Sequence, residues 1–231
     1  STWLKRIGVK SNFINGLRVT DKDTIEIVEM VLSGKINKSI AASLTNEGLK
    51  AVGISGSDSN LIIAKKKYLN IDNKKVDIGF VGQVDFINVD LLLNLLNKDY
   101  VPVISPVGCD KDGNKYNINA DYAASFISSA LKAEKLIILT DVEGVYRDVN
   151  DPSSIINSIT VSKVKDYIKS GIINGGMIPK MECCIEALEN GSKSVHLIDG
   201  RKEHCLINDI FSNCGTTISL KGEIEKCQKA I

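Results

Sequence analysis

The sequence predicts an α/β fold, a three-layer sandwich with a mostly parallel central sheet, helices on both of its faces, and added β-hairpins. Three observations predict it. Short apolar runs alternate with segments of helical periodicity over most of the 231 residues, the pattern of βα units. The run Lys135–Thr140 is almost continuously apolar, as a strand buried on both faces requires. Between Ala51 and Val84 the texture changes to short apolar runs separated by turn residues, which reads as strands and hairpins.

Taken in order, Ser1-Thr2-Trp3-Leu4-Lys5-Arg6-Ile7-Gly8 reads as the last turns of an amphipathic helix stopped by glycine. A helix already under way at a first residue that is not Met is expected to continue upstream. Thr20-x-x-Asp23 has the form of a capping box, with Asp in place of Glu or Gln, and opens a helix carrying Ile25, Val28, Val31 and Leu32 on one face. Gly34 is expected to end it. A second helix follows on Ile36, Ile40, Ala41 and Leu44 and closes at Gly48. Asn88 caps a helix bearing Leu91, Leu92, Leu95 and Leu96; Val101-Pro102-Val103-Ile104 is a strand, and Asp110-Lys111-Asp112-Gly113-Asn114 a tight turn. Asn119-Ala120-Asp121 begins a helix with Ala120, Ala123, Ala124, Ile127 and Leu131 on its core face. Helices around Val161–Ser170 and Pro179–Asn190, a strand at Ser194–Ile198, a short helix near His204–Phe211 and a last strand near Thr216–Leu220 complete the chain.

Composition removes several classes of function. With 43% hydrophobic residues the chain can build a core without staples, and a formal net charge of +1 with no long basic run argues against nucleic acid or an anionic membrane as the main partner. Lys65-Lys66-Lys67 and Lys74-Lys75 read as solvated hairpin ends. No apolar stretch reaches the ~18 residues of a membrane span, and no signal-peptide pattern is present. Cys109, Cys183, Cys184, Cys205, Cys214 and Cys227 contain no C-x-x-C pair, so they read as reduced thiols of a cytoplasmic protein. His196 and His204 are too sparse for a metal cluster.

The residues that could carry chemistry lie where an α/β fold places ligands, outside the carboxyl ends of strands. Gly175-Gly176 lets the backbone approach a ligand closely, Pro179 suits the first turn of the helix that follows, and Lys180 sits in that turn. A cation there opposes the helix dipole unless an anion is bound in front of it; an exposed lysine after a glycine turn is the competing reading. Asp121, following Asn117 and Asn119, lies in the first turn of its helix, where an aspartate also has a purely structural explanation. Arg18, in Asn15-Gly16-Leu17-Arg18-Val19-Thr20-Asp21, has the planar fork that suits a carboxylate, or a surface ion pair. Thr140-Asp141-Val142-Glu143-Gly144-Val145-Tyr146 is compatible with a nucleotide loop or an ordinary turn. No Walker A motif and no set of protein-kinase motifs occurs.

Together these segments resemble the amino-acid kinase family. Thr140 to Tyr146 resembles its general nucleotide loop. Asn15 to Asp21, Tyr116-Asn117-Ile118-Asn119-Ala120-Asp121 and Gly175-Gly176-Met177-Ile178-Pro179-Lys180 are similar to the acetylglutamate kinase branch, in matching order from the first residues to about Leu220. The resemblance implies MgATP-dependent phosphorylation of the γ-carboxylate of N-acetyl-L-glutamate, a step of arginine biosynthesis, by a cytoplasmic homodimer. It implies that Lys180 stabilises the transferring phosphoryl group and that Asp121 organises the catalytic lysines. Arg18, Asn117 and Asn119 would bind the acceptor. Thr140, Asp141, Val142, Gly144, Val145, Tyr146, Gly175, Gly176, Met177 and Lys180 would line the ATP site, with Mg2+ on ATP oxygens and no protein metal ligands.

It also implies one domain of two lobes, approximately 1–105 for the acceptor and dimerisation and approximately 106–231 for ATP. Family members begin with a strand and a glycine-rich turn carrying a second catalytic lysine. None precedes Ser1, so the 231-residue chain alone is expected to have little activity. His204, Asp209 and Gly200-Arg201 resemble the C-terminal region of arginine-inhibited, hexameric members, with Gly215 part of that tentative arginine site; Asn213-Cys214-Gly215-Thr216-Thr217 departs from their glycine-rich ending. Two alternatives stand beside this reading: another amino-acid kinase, of glutamate 5-kinase or nucleoside-monophosphate type, and a non-catalytic arginine-binding module on the same fold.

Overall fold

A computed structural model describes residues 2–6, 8, 12–14, 17–212 and 215–220. Ser1, Ile7, Asn15, Gly16, Asn213, Cys214 and Cys227, which entered the sequence reading, lie outside the described residues. The chain forms two compact units, Ser1–Ala123 and Ala124–Ile231.

The first unit runs α1 (Thr2–Arg6), β1 (Phe13–Ile14), β2 (Leu17–Arg18), α2 (Lys22–Glu29), a π-helical stretch Met30–Ile36, α3 (Asn37–Asn46), β3 (Ala51–Ser55), a 3-10 turn Asp58–Asn60, β4 (Ile62–Ile71), β5 (Lys74–Ile87), α4 (Asp90–Leu96), β6 (Val101–Ser105), β7 (Val107–Cys109) and β8 (Lys115–Ile118). β3 and β6 pair in parallel, from Ala51 opposite Val101 to Ser55 opposite Ser105. β4, β5, β8 and β7 close into a small barrel whose Ile62, Ile78 and Val107 are fully buried. The β4–β5 hairpin turns on Asp72 and Asn73, both at positive φ, the backbone of a two-residue type I′ turn. Because β7 and β8 complete this barrel, the units divide at Ala123/Ala124, whereas the sequence-based lobe boundary was set near residue 105.

Two expectations for this unit require correction. The cap of α2 is Asp21, whose Oδ1 accepts from Thr24 N at 2.8 Å; the Thr20 hydroxyl is turned back to Arg18 O instead. Gly34 does not end the helix, which continues from Lys22 to Asn46 through π turns at Met30–Ile36. The wider turns shift the phase of the helix, so that Ile25 and Val28 and, further on, Asn37 and Ala41 all face inward. Asn37 ties α3 to both strands, its Nδ2 donating to Ile54 O and Val103 O at 3.1 and 2.8 Å. Gly48, at φ +90°, ends the helix as expected.

α5 (Ala120–Ala130) starts on Asn119, whose Oδ1 accepts from Asp121 N and Tyr122 N. Its expected alanine face is only partly the buried one. Ala123 is buried and Ala120 exposed, while Ser125 and Ser128 are buried. Small hydroxyls allow close packing, and Ser129 Oγ shares its one hydrogen between Ser125 O at 2.8 Å and Ala187 O at 3.2 Å.

The second unit continues with β9 (Lys135–Thr140), β10 (Val145–Tyr146), a 3-10 turn Pro152–Ser154, β11 (Ile155–Ile156), β12 (Ser158–Thr160), α6 (Val161–Lys169), α7 (Met177–Glu189), β13 (Ser194–Asp199), α8 (Cys205–Ser212) and β14 (Thr216–Ser219). Its sheet has the order β12-β14-β13-β9, with β9 and β13 parallel and β14 antiparallel to β13. β9 is an edge of that ladder, and its two faces are unequally covered, which corrects the expectation of burial on both: Ile138 is buried, but Leu139 is 50% exposed. Alternation along β13 separates the helices. Val195 and Leu197 join Met181, Cys184 and Leu188 of α7 in the core, while His196 faces Asp209 of α8. Cys109, Cys183 and Cys184 are buried, and these three and Cys205 are outside any disulfide. No helix among the described residues is long and apolar enough to cross a membrane.

Candidate active site

The residues that the sequence singles out fall on both units, and each set is built by its own local structure. In the first unit, Arg18 sits on β2 with its guanidinium 4.5 Å from the centre of the Phe13 ring. Asn117, on β8, is aligned with Val81 of β5, and its Nδ2 reaches Thr20 Oγ1 at 3.5 Å. Thr20 Oγ1 in turn donates to Arg18 O at 3.0 Å, so Arg18 and Asn117 are linked through one hydroxyl. Asn119 is exposed and is committed to capping α5; Asp121, two residues on, is half-buried in the first turn. The Lys67 ammonium lies 5.2 Å from the centre of the Tyr122 ring, beside Asp121 in sequence. Lys65 and Lys66 pair with Asp85 and Asp77, as solvated strand positions do.

In the second unit, Thr140 and Asp199 are register partners at the carboxyl ends of the parallel strands β9 and β13. Charge is concentrated there. Asp199 accepts from Arg201 Nε and Nη2, both at 2.9 Å, and from Arg201 N at 3.0 Å. This fork holds the Asp199 carboxyl down to about 2 and raises Arg201. Lys202 and Glu143 pair at 2.8 Å, each pushing the other further into its charged form. Burial, and then Glu143, pushes the Tyr146 phenol up. Thr140 Oγ1 donates to Asp141 Oδ1, and Gly200 N donates to Thr140 O. Gly144 and Val145 are held by Thr216, whose Oγ1 accepts from Val145 N at 2.8 Å; a Cβ on Gly144 would lie 2.6 Å from that oxygen. Val142 is half-buried in the same turn.

The glycines that open α7 differ from Gly144. Gly175 is at φ +54°, and a Cβ on Gly175 or Gly176 would meet no atom within 4 Å, so this backbone borders open space. Met177 and Ile178 donate back to Asn174 O and Gly175 O, Pro179 occupies the first turn, and Lys180 is half-buried just behind it. The three residues of the tentative arginine site occupy unlike positions. His204 is exposed at positive φ. Gly215 is pressed against the chain, where a Cβ would lie 2.2 Å from Leu197 O. Asp209 is fully buried on His196. Among the described residues, no group of three or more His, Cys, Asp or Glu side chains could hold a metal ion.

Sequence reasoning passed over Asp199 and Thr20. The first could have been found by asking which strand ends beside β9; the second was read as a helix cap. A parallel β9–β13 pair with polar ends, next to a glycine-opened helix, is the α/β arrangement in which anionic ligands are bound. The family model described as the amino acid kinase family matches residues 2–199, and the chain belongs to that family. An acetylglutamate kinase of Clostridium acetobutylicum is 59% identical over 231 residues, which cover all of this chain and 78% of that protein. The crystal structure of smu.665 from Streptococcus mutans UA159 has a TM-score of 0.75 at 29% identity, covering 95% of this chain and 81% of that one. An N-acetylglutamate synthase from Neisseria gonorrhoeae, complexed with coenzyme A and N-acetyl-glutamate, has a TM-score of 0.79 at 22% identity, covers 95% of this chain and 50% of that one, and shares the fold.

Proposed function

We propose that this chain carries out ATP-dependent phosphorylation of the γ-carboxylate of N-acetyl-L-glutamate, giving N-acetylglutamyl 5-phosphate for arginine biosynthesis in the cytoplasm. The observation that carries the reading is the 59% identity, over the whole chain, with a relative named acetylglutamate kinase. In the reaction a carboxylate oxygen attacks the γ-phosphorus in line. One P–O bond forms, the β–γ bridge breaks, and ADP leaves with the electron pair. No protein nucleophile is needed, so the protein's contribution is positioning and neutralisation of charge.

The first unit takes the acceptor and the dimer contact: Arg18 and Asn117 hold the α-carboxylate end, Asn119 lines the site, and Asp121 orients the catalytic cations. The second unit takes ATP along Thr140–Tyr146 and Gly175–Met177, and Lys180 neutralises the phosphoryl oxygens. An anion in front of α7 would turn the dipole there from a cost to Lys180 into a shared stabilisation of the phosphate. Mg2+ would arrive on the ATP phosphates and supply further charge neutralisation. Asp209 is fully buried with its Oδ1 on His196 Nδ1, and inhibition by arginine at His204, Asp209 and Gly215 is not proposed.

The test is a coupled assay of the protein with N-acetylglutamate, glutamate and UMP as acceptors. Turnover of N-acetylglutamate, lost on Lys180→Ala with the fold intact, is expected. Preference for glutamate or UMP, or full activity of Lys180→Ala, would overturn the reading.

A further inference from the structure

We infer that Thr20 is a positioning residue for the acceptor, the joint that holds Arg18 and Asn117 in one constellation. The inference rests on the reading that those two side chains bind the α-carboxylate end of the substrate. Arg18 lies on β2, which pairs with β1 through only two residues on each side. A ladder that short cannot hold its own place. What anchors it is the next stretch of chain. Thr20 N donates to Ile78 O at 3.0 Å and Phe80 N donates to Thr20 O at 2.6 Å, an isolated bridge between Thr20 and Gly79 of β5. Gly79 makes room for it: its φ is +79°, and a Cβ there would stand 2.0 Å from Thr20 O.

The side chain performs the second half of the task. Thr20 is fully buried, and its hydroxyl uses its single hydrogen on Arg18 O while its lone pairs face Asn117 Nδ2 at 3.5 Å. One buried oxygen therefore sets the height of the Arg18 backbone and the direction of the Asn117 amide. The capping role that would otherwise explain the residue belongs to Asp21. Valine would keep the volume and the main-chain bridge but remove both side-chain bonds.

The test is calorimetric titration of N-acetyl-L-glutamate, of its α-amide (which retains the γ-carboxylate) and of ATP into the chain and its Thr20 variants. Thr20→Val should weaken N-acetylglutamate binding on the order of three- to tenfold, the worth of one or two neutral hydrogen bonds. ATP affinity should be unchanged, and the α-amide should bind wild type and variant equally. Thr20→Ser, which keeps the hydroxyl, should behave as wild type. If Thr20→Val does not fold, Thr20→Cys, with similar volume and only a weak donor, takes its place. Unchanged N-acetylglutamate affinity, equal weakening of acid and amide, or a loss in Thr20→Ser as large as in Thr20→Val would overturn the inference. Failure of the wild-type chain to bind N-acetylglutamate would instead overturn the proposed acceptor, and the inference with it.

Discussion

Replacing His196 with leucine should be among the more damaging single changes in the second unit. Asp209 is fully buried, and its carboxylate meets His196 Nδ1 at 3.1 Å and Lys135 Nζ at 3.8 Å. His196→Leu removes the nearer partner and leaves a buried carboxylate facing one half-exposed lysine. Because burial keeps the imidazole neutral at neutral pH, the loss is that of a hydrogen bond to a buried charged group, about 1.5–3 kcal/mol. The carboxylate stays buried, so the upper figure applies, about 3 kcal/mol, or roughly 6–12 °C in Tm for a chain of this size. Asp209→Leu should cost less, about 1–2 kcal/mol, because the neutral imidazole left behind keeps Thr217 Oγ1 at 3.4 Å. The double variant should recover most of the loss, since both polar groups then leave the interior together.

The pH dependence gives a second readout. Burial lowers the His196 pKa against the opposing pull of Asp209. Between that lowered value and about 6.5 the unfolded chain binds more protons than the folded one, so stability falls as pH drops through that window. His196→Leu should lack this component. Urea unfolding of the four proteins of the cycle at pH 5.5 and 7.5 checks both points. A loss below about 1 kcal/mol for His196→Leu, with the pH difference unchanged, would refute the reasoning.

Asn37→Leu should destabilise the first unit by about 2 kcal/mol, since Ile54 O and Val103 O lose their amide donor while the removed Oδ1, itself without a hydrogen-bond partner, is no loss. Denaturant melts giving less than about 0.5 kcal/mol would contradict the bridging role. Arg201→Ala should let the Asp199 carboxyl titrate upward from about 2 toward its ordinary 3.8. The sign follows from the depressed value: the fork stabilises the fold above about pH 4 and is lost as pH falls toward 2. Carbon-detected NMR titration of Asp199 reads this directly, and an unmoved midpoint in the variant would exclude the fork as the cause.

Much of the fold was legible because local signals agreed. The turn at Asp110–Asn114 is closed by Asp110 Oδ1, which accepts from Asp112 N and Asn114 N, as the turn chemistry of that stretch predicts. The start of α5 at Asn119 and the end of α3 at Gly48 are likewise local, each decided by a side-chain acceptor or a permitted positive φ. What failed was non-local. Gly34 carries a stop signal, yet the helix runs through it, because the inward faces of α2 and α3 gain more from one continuous, rephased helix than from a break. Thr20 looked like a cap because spacing cannot distinguish a hydroxyl aimed forward at its own helix from one turned back to Arg18.

By itself the sequence determined the α/β class, the family, and the residue types available for chemistry: an arginine, two asparagines and an aspartate early, a glycine-opened helix with Lys180 late. These are set by periodicity, turn chemistry and motif order, which are properties of contiguous chain. Only the tertiary structure decided that β9 is half-exposed, that Asp199 and Thr140 end side by side, and that one buried hydroxyl joins Arg18 to Asn117. Those facts depend on which distant segments pair and in which register, and strand pairing across tens of residues leaves no local trace in the chain.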